Sequence, residues 1–116
     1  MTRMDIELAC FRGLNEKGHH IWCFRPERSD YYFKGHFPGR PIVPGVLLLE
    51  VSLRILASER GLPRHQLTVK QINKLTYLRP VLPDETVEII TFRQGERIKI
   101  EGGVKNRPVF RFDIVF

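Results

Sequence analysis

Residues 46–60 constrain the fold more than any other part of the chain, because they have helical spacing and are apolar on nearly every side. The polar positions ahead of the C-terminal end of this segment are Glu50, Ser52 and Arg54. Gly61 and Pro63 supply the stop signals expected after a helix. A helix that is apolar almost all round is a buried helix. With 116 residues the chain forms one domain, 1–116, so its remaining segments must wrap around this helix.

The segments outside the helix predict that the wrapper is a β-sheet. Six runs are rich in β-branched and aromatic residues, at residues 4–12, 19–25, 67–78, 85–92, 97–104 and 109–116. The last run alternates apolar and polar residues with period two, which is typical of a half-buried strand. Gln94-Gly95 and Lys105-Asn106 are hairpin-type turns. We therefore expect an α+β fold in which an antiparallel sheet curls around one central helix. The thin wrapper leaves sheet edges and apolar surface exposed, which predicts a homodimer.

Composition narrows the possible functions and partners. The net charge of +6 favours an acidic partner or ligand, but the basic residues are scattered and form no nucleic-acid motif. The longest apolar run is too short to cross a membrane, and the N-terminus lacks the apolar core of a secretory signal. We therefore expect a cytoplasmic protein that binds no nucleic acid. Cys10 and Cys23 fall on neighbouring predicted strands and match no zinc pattern, so we expect two reduced thiols while a disulfide stays open.

Of the four histidines, only His36 lies in a context that suggests chemistry. His19 and His20 are adjacent on a strand, point to opposite faces and cannot share one metal ion, and His65 is assigned no role. His36 lies in a loop that several prolines restrain, just ahead of the helix. The free N–H groups at the start of that helix, from Gly45 onward, favour a developing negative charge.

Glu50 is the second candidate, because a carboxylate on an apolar helix is costly unless it is paired or functional. It lies five residues beyond Gly45, about 7.5 Å along the helix axis, so it could flank the far side of a substrate lying across the helix. The alternative is an i,i+4 salt bridge with Arg54, which would hold Glu50 ionised. Geometry alone leaves these two interpretations open.

The segment HFPGRPIVPGVLLLE, residues 36–50, is similar to the active-site segment of the β-hydroxyacyl-acyl-carrier-protein dehydratases, the FabA/FabZ group. The family pattern is H-F-P, two residues, P, two residues, P-G-V-L, two residues, E, and the segment matches all nine defined positions without a gap. A later stretch, YLRPV followed by Pro83-Asp84, resembles the basic-Pro-Val and Pro-Gly-Asp stretch of the family.

The resemblance implies a hotdog fold and a dimer whose active sites lie at the subunit interface; whether dimers associate further stays open. It assigns His36 as the base that removes the α-proton of a 3-hydroxyacyl thioester. The Gly45 N–H would polarise the thioester carbonyl, and Glu50 of the partner chain would assist departure of the β-hydroxyl as water. Glu rather than Asp at this position points to the FabZ-like branch.

The same resemblance implies a substrate carried on phosphopantetheine by an acyl carrier protein, in fatty-acid-like or polyene-type chain synthesis. It requires no metal and no redox cofactor. Residues expected to bind the acyl chain and thioester are Phe37, Pro44, Val46 and Leu49. The candidate contacts to the acidic carrier are Arg28, Lys34 and Arg40.

Three departures from the family pattern stand out. The chain begins close to its first strand, where family members carry a longer N-terminal segment, so the cover of the acyl tunnel is expected to differ. Arg54 replaces a family Gln, and Pro83-Asp84-Glu85 lacks the family glycine. Two other functions therefore remain open beside the dehydratase, a hotdog thioesterase that uses Glu50 to activate water and a non-catalytic module that binds carrier protein.

Overall fold

The computed structural model describes residues 9–27 and 42–116, which form six strands and one α-helix. The elements in chain order are β1 (Ala9–Leu14), β2 (His20–Phe24), α1 (Gly45–Glu59), β3 (Gln71–Tyr77), β4 (Val87–Gln94), β5 (Arg97–Val104) and β6 (Arg107–Val115). A single 3₁₀ turn, Arg64–Gln66, connects α1 to β3. Each of the six predicted strands and the predicted helix is therefore present, and the ends that are described differ from the predicted ones by a few residues. Residues 4–8 of the first predicted strand lie outside the described residues.

The strands form one antiparallel sheet in the order β1-β2-β4-β5-β6-β3. Hairpins link β4 to β5 and β5 to β6, whereas β3 crosses over to the far edge beside β6. The second hairpin turns at Lys105 and Asn106, both with positive φ, as two-residue turns of this kind require. The first turns at residues 95–96, one residue later than the sequence predicts. Among the described strands, β1 and β3 lie at the edges of the sheet.

One continuous core joins the helix to the inner face of the sheet. The buried side chains of α1 are Leu47, Leu48, Val51, Ser52, Leu53, Ile55, Leu56 and Ala57. They share that core with inward-facing strand residues such as Ile89, Ile100 and Phe112, which are 1% exposed or less. The single buried hydroxyl of the helix, Ser52, is satisfied because it donates to the Leu48 carbonyl at 2.8 Å. This architecture confirms the expected hotdog fold.

The helix is less completely buried than its sequence predicts. Val46 in the first turn is 71% exposed, and Leu49 is half-buried. The C-terminal end matches the prediction, because Gly61 adopts a positive φ of 69° just past the helix. Leu62 N–H then donates to the Ala57 carbonyl at 2.9 Å, and Gly61 N–H donates to Ser58 at 3.0 Å. This Schellman arrangement caps carbonyls that the helix end would otherwise leave unpaired.

Asp84 adopts a left-handed backbone conformation at the position where the family pattern has glycine. Its φ is +68°, in the left-handed region that Asp tolerates better than most residues. Its N–H donates to the Pro26 carbonyl at 2.6 Å, which ties this turn to the end of β2. The turn at Pro83-Asp84 is therefore closed without a glycine.

Candidate active site

The first turn of α1 forms the centre of the candidate site. Pro44 precedes the helix, and its carbonyl accepts hydrogen bonds from Leu47 N–H at 3.0 Å and Leu48 N–H at 3.4 Å. The first N–H groups of a helix, including that of Gly45, have no acceptor within the helix. The same end carries the positive pole of the helix dipole. These two features favour an oxygen that develops negative charge, as the sequence predicts for Gly45.

Tyr77 explains in steric terms why residue 45 is a glycine. The Tyr77 hydroxyl donates to the Gly45 carbonyl oxygen at 2.7 Å. A Cβ atom added at Gly45 would lie 2.7 Å from the Tyr77 Cζ atom and 3.0 Å from Cε1 and Cε2. The ring therefore packs on the backbone of the first helical turn, and no side chain fits between them. Sequence reasoning missed this role, since the crossover that brings β3 to the helix start leaves no local signal.

Burial raises the pKa of the Tyr77 phenol above its ordinary value of 10. The phenol therefore stays neutral through the physiological range and keeps the proton with which it bonds the Gly45 carbonyl.

An open apolar groove lies beside this turn, with a volume of about 440 Å³. Its lining residues are Ile42, Val43, Gly45, Leu48, Tyr77, Leu78, Arg79, Pro80 and Val81. Leu48 rather than Val46 or Leu49 faces the groove, because Val46 points to solvent and Leu49 packs against the core. The groove lining therefore includes Leu48, and the binding roles predicted for Val46 and Leu49 stay predictions.

Glu50 lies on the second turn of α1 and is paired with two arginines. Arg54 Nε donates to Glu50 Oε2 at 2.9 Å, so the i,i+4 pair that the sequence left open is present. Arg64, in the 3₁₀ turn, adds a bidentate contact through Nε to Oε2 at 2.8 Å and Nη2 to Oε1 at 3.0 Å. The Glu50 side chain is 24% exposed, so these ion pairs are partly shielded from water. In this arrangement the carboxylate is a fixed acceptor that three N–H groups orient.

Arg64 is a residue that sequence reasoning missed. The chain reverses after Gly61, and Pro63 precedes the 3₁₀ turn that points Arg64 back along the helix. The contact spans 14 residues, so helical spacing does not reveal it. The only sequence signal is that Pro63 and Gly61 fix a short connection between the helix and the next basic residue.

A second polar cluster, the Glu59 cluster, ties the other end of α1 to the sheet. Glu59 Oε2 accepts hydrogen bonds from His20 Nδ1 at 2.7 Å, Trp22 Nε1 at 2.8 Å and Thr91 Oγ1 at 2.8 Å. His19 lies on the opposite face, where it stacks on Phe92 with ring centroids 4.2 Å apart. The predicted opposition of the two adjacent histidines is thus confirmed. The cluster lies at the far end of the helix from Gly45, so we assign it to the fold.

Several predicted site residues fall outside the described part of the chain. They are Arg28, Lys34, His36, Phe37 and Arg40. Their roles stay predictions. Within residues 9–27 and 42–116, no group of three His, Cys, Asp or Glu side chains could hold a metal ion. Over the same residues, no helix is long and apolar enough to cross a membrane.

Two FabZ enzymes are similar to this chain in sequence. FabZ 3-hydroxyacyl-acyl-carrier-protein dehydratase from Agrobacterium fabrum is 37% identical over 73 residues, 60% of this chain and 47% of the relative. The same enzyme from Thermus thermophilus is 36% identical over 76 residues, 58% of this chain and 54% of the relative. This chain therefore spans about half the length of these relatives.

Solved structures support the fold. The dehydratase heterocomplex ApeI:P from Xenorhabdus doucetiae superposes with a TM-score of 0.67 at 16% identity, covering 84% of this chain and 85% of that chain. The dehydratase domain of PpsC from Mycobacterium tuberculosis gives 0.70 at 13% identity, covering 93% of this chain and 42% of that chain. At these identities the likeness establishes the hotdog architecture.

The sequence model of the ApeI-like family, described as ApeI dehydratase, matches residues 14–106, well over half of the 116 residues. That span includes the helix with Gly45 and Glu50, the crossover to Tyr77 and the strands β2 to β5. The chain therefore belongs to the ApeI-like dehydratase family and is a FabZ-like hotdog protein.

Proposed function

We propose that this chain removes water from (3R)-3-hydroxyacyl thioesters to give trans-2-enoyl thioesters. The observation that carries the proposal is the continuous match of residues 36–50 to the FabZ-type active-site pattern, in a chain whose Gly45 opens a largely buried helix. FabZ relatives at 36–37% identity support the same reaction class. Fatty-acid-like or polyene-type chain synthesis is the setting that supplies such substrates.

In this proposal His36 begins the reaction by taking the α-proton of the thioester. The carbonyl oxygen gains negative charge, which the Gly45 N–H and the helix dipole stabilise. The C–O bond at the β-carbon then breaks, a C=C bond forms between the α- and β-carbons, and water leaves. Because the α-proton is weakly acidic, base and carbonyl stabilisation must act together.

Glu50 of a second chain assists departure of the β-hydroxyl. Its carboxylate is engaged by N–H donors of Arg54 and Arg64, so it accepts a hydrogen bond from the hydroxyl and orients it. The proton that converts the departing hydroxide to water then comes from His36, which received it from the α-carbon. One C–H bond and one C–O bond break, and the C=C π bond and one O–H bond of water form.

We propose that the substrate arrives on phosphopantetheine attached to an acyl carrier protein, with no metal or redox cofactor. The net charge of +6 suits an acidic carrier. The residues assigned to its contact are Arg28, Lys34 and Arg40. Those assigned to the acyl chain and thioester are Phe37, Pro44, Val46 and Leu49, with Val46 exposed for contact beyond its own chain. A carrier-linked pathway of this kind operates in the cytoplasm, where we place the protein.

We propose a homodimer that pairs across the β3 edge. This strand carries exposed apolar side chains at Ile72, Leu75 and Tyr77, and Val46 is exposed beside it. An unpaired edge with apolar neighbours favours a second copy that continues the sheet. A related chain as partner is the competing possibility, since the ApeI:P structure is described as a dehydratase heterocomplex.

The reaction is tested by incubating the purified chain with 3-hydroxyacyl and 2-enoyl thioesters on carrier protein and on coenzyme A. We expect the two acyl forms to interconvert without thiol release, and His36→Ala to lose most of the rate. Thiol release without interconversion would instead establish the thioesterase. Unchanged carrier binding by wild type and His36→Ala, with neither chemistry, would establish the non-catalytic module.

Complementation between two inactive variants tests whether His36 and Glu50 of one active site come from different chains. Co-expressed, differently tagged His36→Ala and Glu50→Ala chains that pair at random should regain about one quarter of wild-type activity, because half of the dimers carry one intact site of two. Isolated heterodimers that remain inactive would refute the assignment of the two residues to different chains.

A further inference from the structure

Cys10 and Cys23 occupy the same rung of the sheet, a feature that the proposed reaction does not use. In the antiparallel pair of β1 and β2 they are direct Cα partners. Directly opposite residues in such a pair lie about 4.5–5.5 Å apart at Cα, and a disulfide accommodates about 4.4–6.8 Å. Both cysteines are free thiols in the structure. The register therefore places two unbonded sulfurs within reach of each other.

The pair lies on the sheet face that points away from α1. Trp22 bonds the Glu59 cluster on the helix side, so its neighbour Cys23 points to the opposite face. Cys10 is exposed and Cys23 is partly exposed. A small reagent in solution can therefore reach the pair without unfolding of the core.

Arg12 is the cation beside these sulfurs. It lies at the register irregularity between Phe11 and Gly13 on β1. A hydrogen bond to Cys23, followed by electrostatic interaction with the Cys10 and Cys23 side chains, raises the pKa of its guanidinium. A guanidinium in this position stabilises negative charge on sulfur, and the thiolate is the form that attacks an oxidant.

Other charged residues lie close to Cys23 in sequence or in strand pairing. Glu88 on β4 is the direct partner of Cys23 on the side away from Cys10. Arg25, two residues after Cys23, is 3.9 Å from Asp84. Cys23 therefore lies between Arg12, which it contacts by a hydrogen bond, and Glu88, whereas Cys10 is the more exposed thiol of the pair.

We propose that Cys10 and Cys23 form a reversible oxidation site for peroxides, which closes to a cross-strand disulfide and pins the edge strand β1 to β2. The Cys10 thiolate attacks the O–O bond, and a sulfenic acid forms as hydroxide leaves. The Cys23 thiolate then attacks that sulfur, the S–O bond breaks, and the S–S bond forms. With the protons of both thiols, one peroxide becomes two waters. A dithiol reductant reverses the step.

The cysteine pair lies on the opposite side of the sheet order from Tyr77, the residue that covers Gly45. The β1–β2 pair lies at one edge of the sheet, and β3 with Tyr77 lies at the other. The proposal therefore stands whether or not the chain is a dehydratase, and its test needs no enzymatic assay.

The test uses the reduced full chain treated with one equivalent of hydrogen peroxide. We expect loss of both free thiols, a mass lower by two hydrogens, recovery with dithiothreitol, and a rise in melting temperature of about 5 °C. Cys10→Ser and Cys23→Ser chains should form no intramolecular bond, and Cys23→Ser should yield a sulfenic acid that dimedone traps on Cys10. A disulfide between chains, or overoxidised Cys10 beside an intact Cys23 thiol, would overturn the proposal.

Arg12 provides a matched control within the same experiment. Arg12→Ala should slow peroxide oxidation several-fold, whereas Arg12→Lys should keep most of the rate because it keeps the charge. Circular dichroism checks that each variant folds. Equal oxidation rates in folded Arg12→Ala and wild-type chains would remove Arg12 from the site.

Discussion

Gly45→Ala tests the packing at the first turn of α1. The new Cβ would lie 2.7 Å from Tyr77 Cζ, whereas carbon atoms in contact are normally about 3.5 Å or more apart. The ring must therefore move by close to 1 Å, which strains its 2.7 Å hydrogen bond to the Gly45 carbonyl. Overpacking costs about 1–3 kcal/mol, and the low end applies within a single chain, where Tyr77 is 46% exposed and can swing outward.

Helix propensity works in the opposite direction. Replacing glycine by alanine in a helix gains about 0.5–1 kcal/mol, and less at the first position. We therefore expect Gly45→Ala to lower the free energy of unfolding by about 1 kcal/mol in the wild-type chain. In a Tyr77→Ala background the clash is absent. Gly45→Ala should then raise the free energy of unfolding by a few tenths of a kcal/mol.

The assay is urea unfolding of the four chains of this double-mutant cycle, followed by circular dichroism at one fixed protein concentration. The expected coupling energy between positions 45 and 77 is about 1.5 kcal/mol. A Tyr77→Phe background serves as a control, since it keeps the ring and should keep the penalty. Equal effects of Gly45→Ala with Tyr77 and with Ala at that position would refute the steric explanation.

Three further predictions concern individual polar contacts. Arg64→Ala should lower kcat more than it raises KM, because Glu50 loses its bidentate partner. The free energy of unfolding should fall by about 1 kcal/mol or less. A change in KM alone would count against a positioning role for Arg64. Tyr77→Phe should remove a hydrogen bond worth about 1 kcal/mol or less. Because burial raises the Tyr77 pKa in the folded state, the contribution of the phenol is present below its unfolded value of 10 and is lost as pH rises through the folded value. Urea midpoints of the wild type should therefore fall toward those of the phenylalanine variant above that pH. Glu59→Ala should destabilise the chain by about 2–4 kcal/mol, because three hydrogen-bond donors lose their acceptor. It should also change the fluorescence of Trp22, the one tryptophan. An unaltered emission spectrum would contradict the hydrogen bond between Trp22 and Glu59.

Local sequence determined most of the fold. The span of β5 agrees with the prediction residue for residue, and α1 begins and ends within one residue of it. These elements were predictable because hydrophobic spacing and turn residues act over a few positions along the chain. The alternation of Phe110, Phe112 and Ile114 likewise places them in the core, as observed. The sequence also predicts a site at the helix start, through Gly45 and the motif around it, and the roles of those residues stay predictions.

Only the tertiary structure decided what those residues contact. Arg64 reaches Glu50 because the chain reverses after the helix, and Tyr77 covers Gly45 because β3 crosses to the far edge of the sheet. The facing of Cys10 and Cys23 depends on a strand register that composition does not specify, although their neighbouring strands were predictable. Periodicity reports which face of an element is buried. The partner that covers or orients a side chain depends on how distant segments close on one another, and that closure is a property of the whole chain.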